Sequence, residues 1–274
     1  MTGKSILVTG CSSGIGEAAA HTLRDRGWRV FATARTKRDL DRLAAAGVEP
    51  VHLDYADEKS IAACAGHVLE ATGGRIGALF NNGAYGQPGA VEDLPTAALR
   101  EQFEANVFGW HDLTRRLIPA MRANGGGRIV QCSSCLGLVS LKYRGAYNAS
   151  KFAIEALSDA MRQELAGSGV HVSLIEPGPI ATRFVEHALA AYRRNINLVD
   201  TPHAEVYARR IAAMEKGGTS TFKLGPEAVV KKLIHALESK RPRPRYFVTK
   251  PTWMLAIGRR LLTTRQLDWF TRRQ

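Results

Sequence analysis

Tyr147 and Lys151 stand four residues apart in the run Tyr147-Asn148-Ala149-Ser150-Lys151. On a helix that spacing places both side chains on one face, about 6 Å apart along the axis at a rise of ~1.5 Å per residue. A free phenol gives up its proton only near pH ~10 and is a weak acid or base at neutrality. A cation one turn away favours the phenolate, so the pair is expected to draw the Tyr147 pKa down and make it a proton-transfer group. A lone pair at this spacing is common on surface helices and gains meaning only from neighbours. Those neighbours exist. Ser133-Ser134 comes thirteen residues before Tyr147, and Asn106 lies in a helical stretch upstream. Asn81-Asn82-Gly83 and Pro177-Gly178-Pro179-Ile180-Ala181-Thr182 each follow an apolar run.

A second chemical signal is the turn Thr9-Gly10-Cys11-Ser12-Ser13-Gly14-Ile15-Gly16, which follows a strand-like run and opens a helix-like one. Glycines there let the backbone turn tightly and approach a pyrophosphate seated on the positive helix N-terminus. The next strand-like run ends at Ala34-Arg35. A ribose 2′-hydroxyl would want an acid about 20 residues beyond the glycines, whereas a 2′-phosphate wants a cation. Arg35, followed by Lys37 and Arg38, therefore points to NADP(H) rather than NAD(H). Asp54 suits either an adenine amino group or a helix cap.

These residues need a scaffold, and the pattern supplies one. Short β-branched runs (Ile6–Val8, Arg29–Thr33, Pro50–Leu53, Ile76–Phe80, Arg128–Gln131, His171–Ile175, Arg245–Val248) alternate with segments rich in Ala, Leu, Glu and Arg at three- and four-residue spacing. Strands separated by helices imply parallel pairing with right-handed crossovers. The expected fold is α/β: a doubly wound, mostly parallel seven-stranded sheet (Rossmann-like) with helices on both faces. In such a sheet the chemical residues above all fall at the carboxyl ends of strands or on helices beside them, where ligands bind. One domain, 1–274, is expected, with a substrate lid over 183–225 and a basic amphipathic tail over 252–274.

In this order and spacing the motifs resemble those of the short-chain dehydrogenase/reductase family, in its shorter single-domain branch, over about residues 3–182. The resemblance implies hydride transfer between a nicotinamide and a carbonyl or alcohol carbon. It implies a catalytic set of Asn106, Ser134, Tyr147 and Lys151: Tyr147 moves the proton, Ser134 holds the substrate oxygen, Lys151 binds the nicotinamide ribose, and Asn106 anchors a relay water. For NADP(H) it implies contacts from Gly10, Ser12, Ser13, Gly14, Ile15, Gly16, Arg35, Asp54, Asn82, Gly83, Tyr147, Lys151, Pro177, Gly178, Ile180 and Thr182, the last holding the carboxamide. Where the family reads Asn-Asn-Ala-Gly, this chain reads Asn81-Asn82-Gly83-Ala84, so a slight backbone shift beside the ribose is expected. Substrate contacts are expected from Ser134, Leu136, Tyr143, Tyr147 and Phe184. Their apolar character suits a small lipophilic ketone, aldehyde or alcohol, and the branch acting on steroids, retinoids and long-chain carbonyls is the most similar. A homodimer or homotetramer also follows from the resemblance. No metal is called for.

Composition bounds the rest. With 274 residues, 45% hydrophobic and 23% charged, the chain is an ordinary globular one. Four cysteines make no disulfide framework, and Cys132-x2-Cys135 lacks the second pair a structural zinc site needs. Neither a secretory signal nor a spanning segment is read, so a cytoplasmic location is expected. The net charge is +13, but from Lys240 onward ten basic residues face one acid. That places most of the excess on the tail, where Trp253, Met254, Ile257, Leu261, Trp269 and Phe270 interleave with arginines. Two readings stand for it: docking on an anionic membrane surface, or a helix folded over the substrate pocket. Nucleic acid is not expected, because no binding motif accompanies the charge. The rival to an enzyme is a catalytically idle NADP(H)-binding sensor or scaffold, against which the intact four-residue set argues; a nucleotide-sugar epimerase or dehydratase is disfavoured by the glycine spacing.

Overall fold

The computed structural model describes residues 3–217 and 222–272. Seven strands form one sheet in the order β3-β2-β1-β4-β5-β6-β7: β1 (Ser5–Val8), β2 (Arg29–Ala34), β3 (Glu49–His52), β4 (Ala78–Asn81), β5 (Gly127–Cys132), β6 (Val170–Glu176) and β7 (Arg245–Phe247). Every pairing is parallel. Parallel sheets must be covered on both faces. The central strands accordingly read as unbroken apolar runs: Ile6, Leu7, Val8, Ala78, Leu79 and Phe80 have no solvent exposure at all.

On one side α1 (Gly14–Asp25) packs against α9 (Glu227–Glu238). On the other, α3 (Glu58–Ala71), α5 (Gly109–Ala123) and α6 (Gly145–Glu164) form the second layer. The short α2 (Lys37–Ala45) covers β2 and β3. The strand order reverses at β1 and β4, which opens a crevice beyond their carboxyl ends.

Two helices depart from simple packing elements. The stretch from α4 (Thr96–Phe103) into α5 is interrupted by a π-turn, Glu104–Phe108, that buries Asn106. Such turns interrupt the i→i−4 ladder and concentrate at functional sites. The buried face of α6 carries Asn148, Ser150, Lys151, Glu155 and Ser158. Polar side chains are rarely buried without a purpose.

After β6 the chain continues through α7 (Phe184–Asn195) and α8 (Ala204–Glu215), the two helical pieces expected in the lid. Lid residues 218–221 lie outside the described residues. The tail departs from expectation: it is two helices, α10 (Lys250–Leu261) and α11 (Thr264–Thr271), rather than one. Leu262 is extended, and Thr263 caps α11 in a capping box with Gln266. Satisfying the free N–H groups of a new helix start competes with helix continuation there. Tail residues 273 and 274 lie outside the described residues.

Candidate active site

Three segments distant in sequence meet at the crevice with almost no space between their backbones. Thr9 ties two of them: its N–H and hydroxyl donate to the Phe80 carbonyl, while its Oγ1 accepts from the N–H groups of Asn82 at 2.8 Å and Gly83 at 3.1 Å. A Cβ on Gly10, whose φ is +69°, would lie 2.5 Å from Gly83 Cα. One on Gly16 would lie 2.2 Å from the Gly10 carbonyl oxygen, and one on Gly14 2.9 Å from Thr182. Side-chain-free positions are therefore required where the glycine turn touches the Asn82-Gly83 strand end and the Pro177–Thr182 loop.

The departure at Gly83 has a local reason. A Cβ there would press within 3.2–3.3 Å of Gly10 and Tyr55. The Tyr55 ring stands beside Trp110, and its hydroxyl donates to Asn81 at 2.7 Å. Trp110 in turn donates to the Gly83 carbonyl at 2.8 Å.

The rim fits a dinucleotide. Ser13 caps α1 with extended backbone but no side-chain hydrogen bond, which leaves the first N–H groups of the helix for an anion. Ser12 and Ile15 belong to the same turn, and the Ser12 carbonyl accepts from Arg42. Arg35, at the end of β2, is exposed and forms no ion pair with a described residue, whereas Lys37, Arg38 and Arg42 each have a carboxylate partner. Asp54 does not cap the following helix, because Asp57 does. One Asp54 oxygen instead accepts from the Ala56 N–H at 3.0 Å. Pro177 accepts from the Cys135 N–H at 2.8 Å and so joins the ends of β6 and β5, and Ile180 bridges to Leu224. Gly178 meets Thr249 and Thr252 at the start of α10.

The four-residue set is assembled beside this rim. Tyr147 lies in the first turn of α6, so that it and Lys151 share one helix at the four-residue spacing. The Ser134 hydroxyl faces the Tyr147 phenol and favours its ionised form, and also accepts from the Leu136 N–H at 3.1 Å. Lys151, 1% exposed, donates to the Cys132 carbonyl at 2.8 Å and lies 4.4 Å from the Trp110 ring centre and 5.6 Å from that of Tyr147. Asn106 Nδ2 donates to the Tyr85 carbonyl at 2.9 Å and to Ser150 at 3.2 Å, and its Oδ1 accepts from the Tyr85 N–H.

The electrostatics overturn one expectation. Tyr147 is only partly exposed, and desolvation pushes its pKa above the ordinary tyrosine value rather than below it. The ammonium expected to lower it is held at the Cys132 carbonyl and Trp110 ring instead, and burial brings Lys151 itself down to about 8. At neutral pH the site thus holds a protonated phenol.

The expected substrate contacts divide. Phe184 reaches Tyr147, ring centre to ring centre 5.3 Å, with Gly86 beside both. Leu136 is packed away at 3% exposure, so its side chain forms no open wall. Tyr143 stacks with His203 and Tyr207 at the lid. Its φ of +61° is unusual for a non-glycine residue. Sequence reasoning missed Tyr55, Trp110 and Tyr85, which hold Asn81, Gly83 and Asn106 in place by contacts no motif signals.

Comparison with known proteins agrees with this geometry. The family described as short chain dehydrogenase matches residues 4–193. An uncharacterized oxidoreductase, YbbO of Escherichia coli, is 43% identical over 97% of this chain and 93% of its own length. The NADPH-dependent 3-dehydrocapnine reductase of Ornithobacterium rhinotracheale is 32% identical over 96% of this chain and 94% of its own. Human 17-beta-hydroxysteroid dehydrogenase type 1 is 32% identical over 89% and 77%. Among solved structures, a short-chain dehydrogenase from Streptomyces avermitilis superposes with a TM-score of 0.80 at 31% identity, covering 98% of this chain and 96% of that one. One from Burkholderia cenocepacia in complex with NADP gives 0.74 at 27%, covering 98% and 97%. One from Burkholderia phymatum in complex with NAD gives 0.78 at 26%, covering 99% and 96%.

Proposed function

The chain belongs to the short-chain dehydrogenase family and is an oxidoreductase of it, and from that premise we propose that it is an NADP(H)-dependent reductase of lipophilic ketones or aldehydes. The observation that carries the reading is the convergence of Gly10, Gly14 and Gly16 with Gly83 and Thr182 around an uncapped helix N-terminus, in the crevice beside the first turn of α6 that carries Tyr147. Bound there, the dinucleotide supplies a hydride. Gly10, Ser12, Ser13, Gly14, Ile15 and Gly16 would hold its pyrophosphate and Arg35 its 2′-phosphate. Asp54 would serve the adenine, Asn82, Gly83 and Lys151 the riboses, and Pro177, Gly178, Ile180 and Thr182 the nicotinamide end.

The chain's own side chains do the rest. Tyr147 Oη donates its proton to the carbonyl oxygen, and a phenol whose pKa burial has raised is the form this direction needs. Ser134 Oγ donates a second hydrogen bond to that oxygen; losing such a donor typically costs about 2.7–4 kcal/mol of transition-state stabilisation. Lys151 keeps a positive charge under the phenol, and Asn106 fixes the Tyr85 turn above it. Phe184 gives the substrate side an apolar surface.

Seven of the thirteen large apolar side chains exposed among the described residues sit on α10, α11 and the Leu262 break between them. That concentration, flanked by Arg259, Arg260 and Arg265, supports docking of the tail on an anionic bilayer rather than closure over the pocket. Among the described residues no helix is long and apolar enough to cross a membrane. A cytoplasmic homo-oligomer is part of the same reading.

The test is loss of NADPH absorbance with a panel of ketones and aldehydes. Wild type should oxidise NADPH, and Tyr147→Phe should lose about 10²–10⁴-fold in rate with NADPH affinity unchanged. A Phe variant that turns over normally removes Tyr147 from the role.

A further inference from the structure

Behind the catalytic face of α6 several carboxylates crowd one guanidinium. Arg245 on β7 donates through Nη1 to Glu155 and, at 2.6 Å, to Glu176, and through Nη2 to Asp159 at 2.6 Å. Asp159 also pairs with Arg162 at 2.5 Å. Two carboxylates, Glu155 at 6% and Glu176 at 0% exposure, are thereby left to share the charge of Arg245. Buried like charges at one cation are relieved most cheaply by a proton on one of them. Glu155 Oε1, Glu176 Oε2 and the nearby Ser133 Oγ have no hydrogen-bond partner among the described residues. A carboxylic O–H at one of these free oxygens would turn an acceptor into a donor where Glu155 and Glu176 otherwise meet only Arg245 and the Ser133 hydroxyl among the described residues. Burial and mutual repulsion both act this way: Glu155 is raised and Glu176 is pushed up to about 8.

The cluster is coupled to the proposed site by the helix itself. Tyr147, Lys151, Glu155 and Asp159 follow one another at four-residue spacing along α6. Burial weakens the hold of Lys151 on its proton most, and Cys132 and then Glu155 act the other way. On the other side, a Cβ on Gly137 would lie 2.8 Å from Ser133 Oγ and 2.9 Å from Glu155 Cγ, so Glu155 also packs under the turn that follows Ser134. Glu176 is the residue before Pro177 of the nicotinamide-side loop.

We propose that Glu155 and Glu176 hold one proton between them on Arg245, and that this buried carboxyl pair, one helical turn behind Lys151, tunes how firmly Lys151 keeps its ammonium. Both are then positioning residues for proton transfer rather than catalytic ones. The groups facing Lys151 are Tyr147 and Glu155 from α6, the Cys132 thiol and carbonyl from β5 and the Trp110 ring from α5. Those facing the pair are Arg245 from β7, Asp159 from α6 and Ser133 beyond β5.

The signs follow from charge. Lys151 loses its proton as pH rises, so the rate should fall on the alkaline side, near the value of about 8 to which burial has brought it. Glu155→Gln removes the carboxylate one helical turn from Lys151 and moves that limb to lower pH. Glu176→Gln removes the competitor, leaves Glu155 fully ionised and moves the limb to higher pH. Each shift should be about one pH unit. Glu155→Asp, which keeps the charge, should restore the wild-type limb, as a purely packing role would not.

Those limb shifts rest on Lys151 acting as the proposed function has it, so a second measurement is independent of turnover. In protein labelled with ¹³C-glutamate at the carboxyl carbon, without cofactor or substrate, one buried resonance should titrate far above the ordinary glutamate range, and Glu176→Gln should abolish that late titration. Opposite limb shifts with that resonance support the proposal. Two buried glutamates already ionised at pH 6, or limb shifts of the same sign in both Gln variants, overturn it. Should Tyr147→Phe and Lys151→Ala retain activity, the functional reading fails while the carboxyl titration still decides the shared proton.

Discussion

The crevice at the ends of β1 and β4 and the tail helices α10 and α11 are opposite kinds of surface. In the crevice each position is fixed by contact: glycines at 10, 14 and 16 exist because backbone or side-chain atoms stand within 2.9 Å of where a Cβ would be. On the tail, Trp253, Met254, Ile257 and Leu261 share an exposed face of α10 and meet little beyond the Trp253 contact with Phe247 at 4.8 Å. One region specifies atoms, the other only a property, apolar and basic. Function that depends on geometry should therefore fail with one methyl group in the crevice, while the tail should tolerate exchange of one apolar residue for another.

The sharpest way to break that contrast is Gly16→Ala. Its new Cβ would meet the Gly10 carbonyl, a backbone atom that cannot swing aside. Overpacking of this kind typically costs about 1–3 kcal/mol. NADPH affinity measured by fluorescence titration should fall more than tenfold, with a lowered unfolding midpoint. A variant that binds normally would show the glycine to be incidental.

Arg35→Ala comes next. Losing a charge-assisted hydrogen bond to a phosphate costs about 1.5–3 kcal/mol, so the NADPH dissociation constant should rise about 10–100-fold while that of NADH stays nearly unchanged. Equal loss for both would assign Arg35 to something other than the 2′-phosphate. The smallest effect on the fold belongs to the tail. Trp253→Ser with Leu261→Ser should change stability by about 0.5 kcal/mol or less per site, yet remove co-sedimentation with anionic vesicles. Unchanged partition would exclude the bilayer as the partner of that face.

The same contrast explains what the sequence discloses. The strands of the sheet and the shared face of Tyr147 and Lys151 were legible because burial on both faces and helical spacing leave periodic marks, whereas Asn106 and Ser134 joined them only through the family resemblance. The Tyr147 pKa was not legible: spacing predicts a cation one turn away, but only the structure shows that Cys132 and Trp110 hold that cation while burial of the phenol prevails. Burial of Leu136 was not legible, because an apolar residue near a site looks alike in sequence whether it is open or covered. The break at Leu262–Thr263 was hidden because the apolar spacing continues across it, and the decisive signal was Thr263 with Gln266 three residues on. The acid pair escaped notice because Glu155 and Glu176 are brought together by β7, far along the chain.

The central claim is that Tyr147 completes hydride transfer at this edge by giving up a proton. It is tested most directly by a single turnover with NADPH deuterated at the transferring position and a lipophilic ketone, followed by mass analysis of the alcohol. Wild type should place one deuterium on the carbinol carbon. Tyr147→Phe should bind NADPH equally well and yield no deuterated alcohol in the same time. Deuterated product from that variant at the wild-type rate would contradict the account.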